Sequence, residues 1–247
     1  MFPTPSGDRS TLKSTLRNIF LGASPEQAAP SAGVRGISSF NSGAGSAAKM
    51  AREDVCLESK CLDQFLASIR GQSGLNILDL TGLCQANVDI ISGMGHRIHS
   101  DDFLRILDDC FGPPGDFYGN QSDHERLNRF VEQCLAYDDW MFDGALIWDS
   151  LEYLEPELLE MTVNHLFGLL KPSSYLLATF HTESQNGMVP CYTYRIEGSR
   201  SLRLSHKCDR KVSRILQNRD IERLFQRFNS VKFFLTRDNL REVIVRR

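Results

Sequence analysis

Apolar positions in residues 51–181 alternate between short continuous runs and helical spacing. Continuous runs predict strands at "LNILDL", "RIHSDD", "FDGALIWDS" and "SYLLATFH". Helical spacing predicts helices over "CLESKCLDQFLASIR", "QANVDIISGMG", "DDFLRILDDCFG", "SDHERLNRFVEQCL" and "PELLEMTVNHLFGLLK", with "GPPGDFYGN" as a Gly/Pro-rich loop. Such alternation predicts an α/β domain with a mostly parallel sheet, helices on both faces and right-handed crossovers.

The last third of the chain departs from this pattern. The segment "CYTYRIEGSRSLRLS" predicts two strands around a Gly-Ser turn, and therefore a β-hairpin. A helix over "RDIERLFQRF", with Asn218 as a candidate N-cap, then precedes a closing pair of strands, "SVKFFLT" and "LREVIVRR".

Residues 1–48 differ from the rest in composition. They are rich in Ser, Gly, Ala and Pro, and such a segment buries too little apolar surface to offset the entropy of ordering. We therefore expect a mostly disordered N-terminal segment over 1–48 and one folded domain over 49–247. Within the first segment, "STLKSTLRNIFLG" has helical spacing, which fits either a transient helix or a helix that docks on a partner.

Bulk properties limit the classes of function. The net charge of -3 gives no reason to expect nucleic-acid binding, although residues 195–247 are rich in basic side chains and residues 101–170 in acidic ones. The sequence predicts no membrane span and no signal peptide, so we expect a cytoplasmic protein. Its seven scattered cysteines form no C-x-x-C pair, and we expect buried free thiols without a zinc site or a disulfide framework.

Candidate functional residues follow directly after the predicted strands, because ligands of open α/β sheets bind beyond the carboxyl ends of the strands. The first strand is followed by a turn that contains only one glycine, and the second by a pair of acids 22 and 23 residues beyond Asp79. An acid at that place suits the hydroxyls of a ribose, and it equally suits the N-cap of the next helix. The candidates after the four strands are Asp79, Thr81, Gly82, Gln85, Asp101, Asp102, Trp148, Asp149, Ser150 and His181.

Four motifs in the same order resemble those of class I S-adenosylmethionine-dependent methyltransferases, over about residues 52–247. They are "ILDLTGLCQAN" for the first strand and turn, "GHRIHSDDF" for the ribose-binding strand, "LAYDDWMFDGALIWDSLEYL" for the fourth-strand motif, and "LLKPSSYLLATFH" for the fifth strand. The closing helix and the "LREVIVRR" strand resemble the antiparallel end of the same sheet. The resemblance implies a Rossmann-like doubly wound sheet of about seven strands, mostly parallel with an antiparallel C-terminal strand, plus a β-hairpin insertion.

The resemblance also implies S-adenosylmethionine as the cofactor and a methyl acceptor, for which a small molecule is favoured over nucleic acid. The cofactor would lie among Asp79, Thr81, Gly82, Gln85, Asp101, Asp102, Glu132 and Trp148. Departures lie at Thr81, Leu83 and Gln85, where the family has glycines, and at Val131, where only the adjacent Glu132 offers an acid. Larger side chains in the first turn are expected to crowd the methionine part of the cofactor.

Three residues near the expected acceptor are candidate catalytic groups: Asp149, Tyr153 and His181. Methyl transfer needs positioning and a base near the acceptor, which a carboxylate, a phenol or an imidazole can supply. Each has a structural alternative: Asp149 as a helix cap, Tyr153 as a core residue and His181 as a strand end. Two functions remain open, a methyltransferase and a catalytically inactive scaffold with the same fold, while the missing G-x-G-x-x-G disfavours a nicotinamide-dependent oxidoreductase.

Overall fold

A computed structural model describes residues 54–112, 116–235 and 239–247. Its strands are β1 Val55–Glu58, β2 Asn76–Asp79, β3 Arg97–Ser100, β4 Phe142–Trp148, β5 Leu170–His181, β6 Met188–Ile196, β7 Ser201–Lys211, β8 Ser230–Leu235 and β9 Leu240–Arg246. Its α-helices are α1 Lys60–Ile69, α2 Gln85–Gly93, α3 Phe103–Phe111, α4 Phe117–Asn120, α5 His124–Gln133, α6 Pro156–Leu169 and α7 Asn218–Leu224. A 3-10 helix, Ser150–Tyr153, follows β4. The segment 1–48, with its predicted disorder and helix, lies outside the described residues.

Six strands form the central sheet, in the order β3-β2-β4-β5-β9-β8. The pairs β2–β3, β2–β4 and β4–β5 are parallel, whereas β9 is antiparallel to both β5 and β8. The predicted α/β, doubly wound fold with an antiparallel C-terminal strand is confirmed, with six strands in this sheet where about seven were expected. Chain order reverses between β2 and β4. In this sheet β3 lies on one side of β2, and β4, β5, β9 and β8 lie on the other.

The predicted hairpin is confirmed as β6–β7, and it belongs to a second sheet. The strand β1 pairs with β7, which gives a three-stranded antiparallel sheet in the order β1-β7-β6. The sequence analysis placed Leu57 in the first helix, but Leu57 lies in β1. Helix α1 begins only after Ser59, whose hydroxyl accepts a hydrogen bond from the Leu62 amide (2.8 Å) and caps the helix.

Three further predictions are corrected by local chemistry. The predicted loop "GPPGDFYGN" contains a helical turn, α4, whose Phe117 is buried against Phe111. Helix α6 ends at Leu169 rather than at the lysine, because the chain enters β5 before Pro172. The N-cap of α7 is Gln217, which forms a capping box with Asp220, so Asn218 is already the first helical residue.

Two apolar clusters cover the two faces of the central sheet. One packs α3, α5, α6 and α7 on the sheet. The other packs α1, part of α2 and the inward face of the β6–β7 hairpin on the opposite face. Within the second cluster, Gly144 of β4 lies so close to Phe65 of α1 that an added Cβ would come within 2.9 Å of the ring. This packing therefore places α1 and the hairpin against β4 beside the point where the chain order reverses.

Candidate functional site

The crevice at the reversal point lies between the carboxyl ends of β2 and β4, where open α/β sheets bind their ligands. Asp79 is the last residue of β2, and Trp148 is the last residue of β4. Pairing continues past the end of β2, because the Leu80 amide donates to the Leu146 carbonyl (3.0 Å). The residues that close this edge are therefore held in register by the sheet itself.

Asp79 is fully buried, and its carboxylate accepts three hydrogen bonds from within the chain. The donors are Trp148 Nε1 (2.8 Å), Asn87 Nδ2 (2.8 Å) and the Thr81 amide (3.1 Å). Burial raises the pKa of Asp79, and the hydrogen bonds from Asn87, Trp148 and Thr81 oppose that rise. Both carboxylate oxygens are thus committed to protein donors, and the bond to Trp148 spans the crevice from β2 to β4.

The β6 strand of the hairpin covers this bond. The Tyr194 ring stacks on the Trp148 ring, with 4.7 Å between centroids and an interplanar angle of 11°. The Tyr194 hydroxyl accepts a hydrogen bond from Thr179 Oγ1 (3.0 Å), and its backbone amide donates to Thr81 Oγ1 (3.4 Å). Tyr194 is therefore fixed to β5, to the turn after β2 and to the ring beneath it.

Asn87 of α2 joins the hairpin to the crevice, and the sequence analysis gave it no place among the site residues. Its Nδ2 donates both to Asp79 and to the Tyr194 carbonyl (3.1 Å), while its Oδ1 accepts from the Ile196 amide (2.8 Å). A buried amide side chain with every bond satisfied specifies one docking position for β6. The sequence feature that could have identified Asn87 as a site residue is its position eight residues after Asp79, on the inward face of α2.

Trp148 has a positive φ of 55°, which is rare for a bulky residue. Its indole is almost completely buried, at 1% exposure. The hydrogen bond to Asp79 and the stacking on Tyr194 offset the conformational strain of this backbone. The strained turn aims the Trp148 ring into the crevice.

The turn after β2 meets the turn after β3 directly. The Gly82 amide donates to the Asp101 carbonyl (3.1 Å), and Thr81 and Asp102 form an isolated antiparallel bridge. Gly82 has a positive φ (85°), and an added Cβ would lie 3.4 Å from the Asp102 side chain. Backbone contact between the two turns therefore brings Thr81 and Gly82 together with Asp101 and Asp102 and leaves the two pairs bonded to each other.

Both candidate ribose acids have protein partners. Asp101 accepts a hydrogen bond from the Tyr137 hydroxyl (3.0 Å), and Asp102 accepts one from the Arg105 amide (3.2 Å). The N-cap of α3 is therefore Asp102, and not Asp101 as the sequence suggested. Burial raises the pKa of Asp101, while Tyr137 lowers it.

The remaining candidate cofactor residues are exposed. Gln85 lies at the start of α2 and bonds Asp89 (2.7 Å), and Glu132 lies on α5. The Leu83 side chain is 83% exposed. The Leu83 side chain therefore does not crowd the crevice, which the rings of Trp148 and Tyr194 fill instead. The residues between the ends of β2 and β4 do not fit a bound nucleoside, because the polar atoms of Asp79, Asn87 and Trp148 bond one another and the rings of Trp148 and Tyr194 cover them.

A second group of polar residues lies beside the crevice and includes all three candidate catalytic residues. The Tyr153 hydroxyl donates to Asp149 Oδ2 (2.9 Å). Glu152, which the sequence analysis did not select, accepts from His181 Nδ1 (2.6 Å) and from the His181 amide (2.6 Å). We call Asp149, Glu152, Tyr153 and His181 the acid–base cluster; all four are buried.

Burial and mutual charge perturb the titration of this cluster. Burial raises the pKa of Asp149 to about 6, with Glu152 adding to the rise while His181 and the Tyr153 hydroxyl oppose it. For His181, burial lowers the pKa, but the hydrogen bond and charge of Glu152 outweigh it, with Asp149 adding to the rise, so the pKa is raised. A carboxyl group with a raised pKa beside a histidine is typical of acid–base sites.

His181 also lines a cavity of about 400 Å³ between the end of β5, the hairpin and the start of β9. The other residues around it are Glu183, Gln185, Asn186, Met188, Pro190, Tyr192, Asp209 and Asn239. The Nε2 atom of His181 is buried and has no hydrogen-bond partner among the described residues. An unpartnered buried ring nitrogen on a residue that lines a cavity of ligand size is a candidate contact for a ligand.

Two other features bear on function. Within the described residues, no group of three or more His, Cys, Asp or Glu side chains is arranged to hold a metal ion. No helix in the described part of the chain is long and apolar enough to cross a membrane.

Comparisons with known proteins concern the fold. No protein-family model matches the chain, and neither does any curated protein. Among similar solved structures is a methyltransferase from Methanosarcina mazei, with 16% identity, a TM-score of 0.40 and coverage of 71% of this chain and 93% of that one. Another is the 1,6-didemethyltoxoflavin-N1-methyltransferase of Burkholderia thailandensis, solved with S-adenosylhomocysteine, with 13% identity, 76% coverage of each chain and a TM-score of 0.41. A third is a methyltransferase from Archaeoglobus fulgidus, with 14% identity, a TM-score of 0.42 and coverage of 75% of this chain and 91% of that one.

The assignment of the fold rests on strand order. A sheet β3-β2-β4-β5-β9-β8, parallel from β3 to β5 and closed by an antiparallel β9, is the doubly wound sheet that the motif resemblance implied. The chain therefore has the class I S-adenosylmethionine-dependent methyltransferase fold.

Proposed function

We propose that this protein uses the methyltransferase fold to bind a small molecule, without holding S-adenosylmethionine in the crevice between β2 and β4. One observation carries the proposal: Asp79, Trp148 and Tyr194 close that crevice with bonds to one another. Opening it would break a charged buried hydrogen bond and an aromatic stack. Together these amount to about 3 kcal/mol, which lowers the affinity of an entering ligand by roughly a hundredfold.

The ligand site of the proposal is the cavity beside His181. Its volume of about 400 Å³ lies within the range of small-molecule sites. The unpartnered Nε2 of His181 is a hydrogen-bond donor when the ring is protonated, and the carboxylates of Glu183 and Asp209 give the lining an acidic character. A small molecule with a hydrogen-bond acceptor at one end and a positively charged group at the other fits this chemistry.

Trp148 provides a direct test, because the chain has only two tryptophans. In the variant Trp140→Phe, which alters an exposed side chain, Trp148 is the sole indole emitter. Titration with S-adenosylmethionine and S-adenosylhomocysteine to millimolar concentration should leave its emission and the melting temperature unchanged. A saturable red shift together with stabilisation would overturn the proposal, since ligand at ~100 times its dissociation constant stabilises a protein by ~2.7 kcal/mol.

A matched pair of variants tests whether Tyr194 is what closes the crevice. In the same titration, Tyr194→Ala removes the ring that covers Trp148, while Tyr192→Ala removes a ring from the same strand that lines the His181 cavity instead. We expect cofactor-induced changes only in the Tyr194→Ala protein. Binding by the wild type or by the Tyr192→Ala protein would show that the closure does not control access.

A second candidate function is an S-adenosylmethionine-dependent methyltransferase acting on a small molecule, and the acid–base cluster favours it. A carboxyl group with a pKa of about 6 is suited to removing a proton from an acceptor, and His181 beside the cavity is suited to holding that acceptor. This function requires the hairpin to leave the crevice before the cofactor enters.

The two candidates give opposite results in one assay. Under the methyltransferase hypothesis, labelled methyl groups are transferred from S-adenosylmethionine to a component of an amine and amino-alcohol library, and Asp149→Asn reduces this transfer by a hundredfold or more. Under the first proposal, the library contains ligands that stabilise the protein, but no label is transferred. His181→Asn should lower the affinity for those ligands by roughly tenfold, which corresponds to the loss of one hydrogen bond.

A further inference from the structure

Cys191 and Cys208 lie opposite each other across the β6–β7 hairpin. The antiparallel register pairs Cys191 with Cys208, and it shifts by one residue immediately afterwards, where Tyr192 pairs with His206. Directly opposed residues of an antiparallel pair share one face of the sheet, with Cβ atoms about 4.5–5.5 Å apart. A disulfide needs about 3.5–4.5 Å between Cβ atoms, so a small adjustment at the adjoining bulge brings the two sulfurs within bonding distance.

The two thiols differ in exposure and in charge environment. Cys191 is buried at 1% exposure, whereas Cys208 is partly exposed. The Cys191 thiol donates a hydrogen bond to the Cys208 sulfur, which lowers the pKa of Cys208, and Arg210 and His206 lower it further against the opposing effects of burial and Asp108. Cys208 is therefore the better nucleophile, and Cys191 is the sheltered partner.

Arg210 is fixed beside this pair. Its guanidinium forms two hydrogen bonds to Asp108 of α3 (2.7 and 3.0 Å) and lies over the rings of Phe117 and Tyr153. A cation held on two sides keeps its charge near Cys208 without depending on a mobile side chain. The polarisation of Cys208 is thus built into the packing of the hairpin on α3.

No other two cysteines are register partners among the described strands. Cys56 of β1 is exposed and lies opposite Arg203. Four others are buried in the core: Cys61, Cys84, Cys110 and Cys134. The arrangement at 191 and 208 is therefore distinct within this part of the chain.

We propose that Cys191 and Cys208 form a reversible dithiol–disulfide pair, oxidised by low-molecular-weight disulfides such as oxidised glutathione. The Cys208 thiolate attacks one sulfur of the small disulfide, a mixed disulfide forms, and one small thiolate leaves. Cys191 then loses its proton and attacks the Cys208 sulfur, forming the intramolecular bond and releasing the second small thiolate. Two protein thiols are oxidised, and one small disulfide is reduced to two thiols.

The bond would act on the strand that closes the crevice. The loop it encloses contains Tyr194 and Ile196, which dock β6 on Asn87 and Trp148. A cross-link over such a loop restricts the unfolded hairpin, so oxidation should raise the melting temperature by roughly 5–10 °C. This inference does not depend on the proposed function, because it concerns the hairpin itself and not the ligand.

The test uses the full-length protein equilibrated in buffers of reduced and oxidised glutathione, quenched by alkylation and analysed by peptide mass spectrometry. The expected product is one linkage between the peptides of Cys191 and Cys208, with a mass about 2 Da below the sum of the two thiol peptides. Cys191→Ala should stop at a glutathione adduct on Cys208, Cys208→Ser should give neither product, and Cys56→Ser should behave as the wild type.

Three results would overturn the proposal. The first is a wild-type protein that keeps both thiols in an oxidising buffer that modifies the exposed Cys56. The second is a Cys191→Ala protein without an adduct on Cys208. The third is a linkage that pairs either residue with another cysteine. Because the first and third results come from the wild type, the proposal remains testable even where a variant fails to fold.

Discussion

Two polar sites lie side by side at the carboxyl edge of the sheet, and they differ in how completely the chain satisfies them. In the crevice between β2 and β4, both oxygens of the Asp79 carboxylate and both polar atoms of the Asn87 amide are hydrogen-bonded to protein groups. Beside it, in the acid–base cluster, His181 Nε2 has no hydrogen-bond partner within the part of the chain that the structure describes, and His181 lines a cavity.

The contrast bears directly on function. Buried polar groups that are fully paired within a protein stabilise one conformation, whereas an unpaired buried polar atom beside a cavity is a candidate contact for a ligand. The pairing inside the crevice and the unpartnered ring nitrogen of His181 are the two observations behind the proposed binding of a small molecule beside His181.

The largest effect is expected from removing the centre of the closed crevice. Asp79→Ala deprives Trp148, Asn87 and the Thr81 amide of their acceptor, so the free energy of unfolding in urea should fall by roughly 3–5 kcal/mol. The control Asp102→Ala removes an N-cap of α3 and should lose only about 1 kcal/mol. Equal losses in the two variants would contradict the central role of Asp79.

The next effect isolates the bond across the crevice. Trp148→Phe keeps an aromatic ring against Tyr194 but removes the indole donor to Asp79, and should reduce the free energy of unfolding by about 1.5–3 kcal/mol. The control Trp140→Phe changes an exposed side chain and should stay within about 0.5 kcal/mol of the wild type. A neutral Trp148→Phe would mean that the ring alone closes the crevice.

Sequence reasoning predicted the fold of this region well and its closure poorly. Periodicity located β2, β4 and α2, because burial on a sheet or helix face imposes a repeating pattern on the local sequence. Asn87 donates a hydrogen bond to the Tyr194 carbonyl and accepts one from the Ile196 amide, and both bonds join residues more than 100 positions apart. No local pattern encodes such a contact, and the strand β1 was missed for the same reason, since its partner β7 is far away in the sequence.

The acid–base cluster was predicted in part. The rule that functional residues follow strands selected Asp149 and His181 from β4 and β5, and the structure brings both into one cluster with Tyr153. Glu152 was not selected, because only the parallel pairing of β4 with β5, which the local sequence does not encode, brings it beside His181. Their catalytic and ligand-binding roles remain predictions.

A smaller effect should appear as a dependence of stability on pH in the acid–base cluster. His181 has a raised pKa in the folded state, so its contribution is fully present below about pH 6.5 and is lost as the pH rises through the folded value. Asp149, with a folded pKa of about 6, also binds its proton more tightly when folded, so its contribution is likewise lost as the pH rises through about 6.

The free energy of unfolding should therefore fall between pH 5 and pH 8, by on the order of 1–2 kcal/mol. Urea titrations across this range measure it. In His181→Asn the part of the decrease that comes from the imidazole should vanish, while the part due to Asp149 remains. A His181→Asn profile that matches the wild type in slope would show that the imidazole does not gain its proton on folding.

The smallest effect concerns the turn after β2, whose missing glycines first suggested a damaged cofactor site. Leu83 stands where the family has a glycine, yet its side chain is 83% exposed and does not enter the crevice. Leu83→Gly should thus lower the free energy of unfolding by less than about 1 kcal/mol, mainly through the entropy of the unfolded chain, and Leu83→Ala by less than about 0.5 kcal/mol. Neither variant should gain affinity for S-adenosylmethionine in calorimetry, because Asp79, Trp148 and Tyr194 remain bonded as before. Binding that appeared in Leu83→Gly but not in Leu83→Ala would show that the backbone of the turn Thr81–Gln85, rather than the hairpin, closes the crevice.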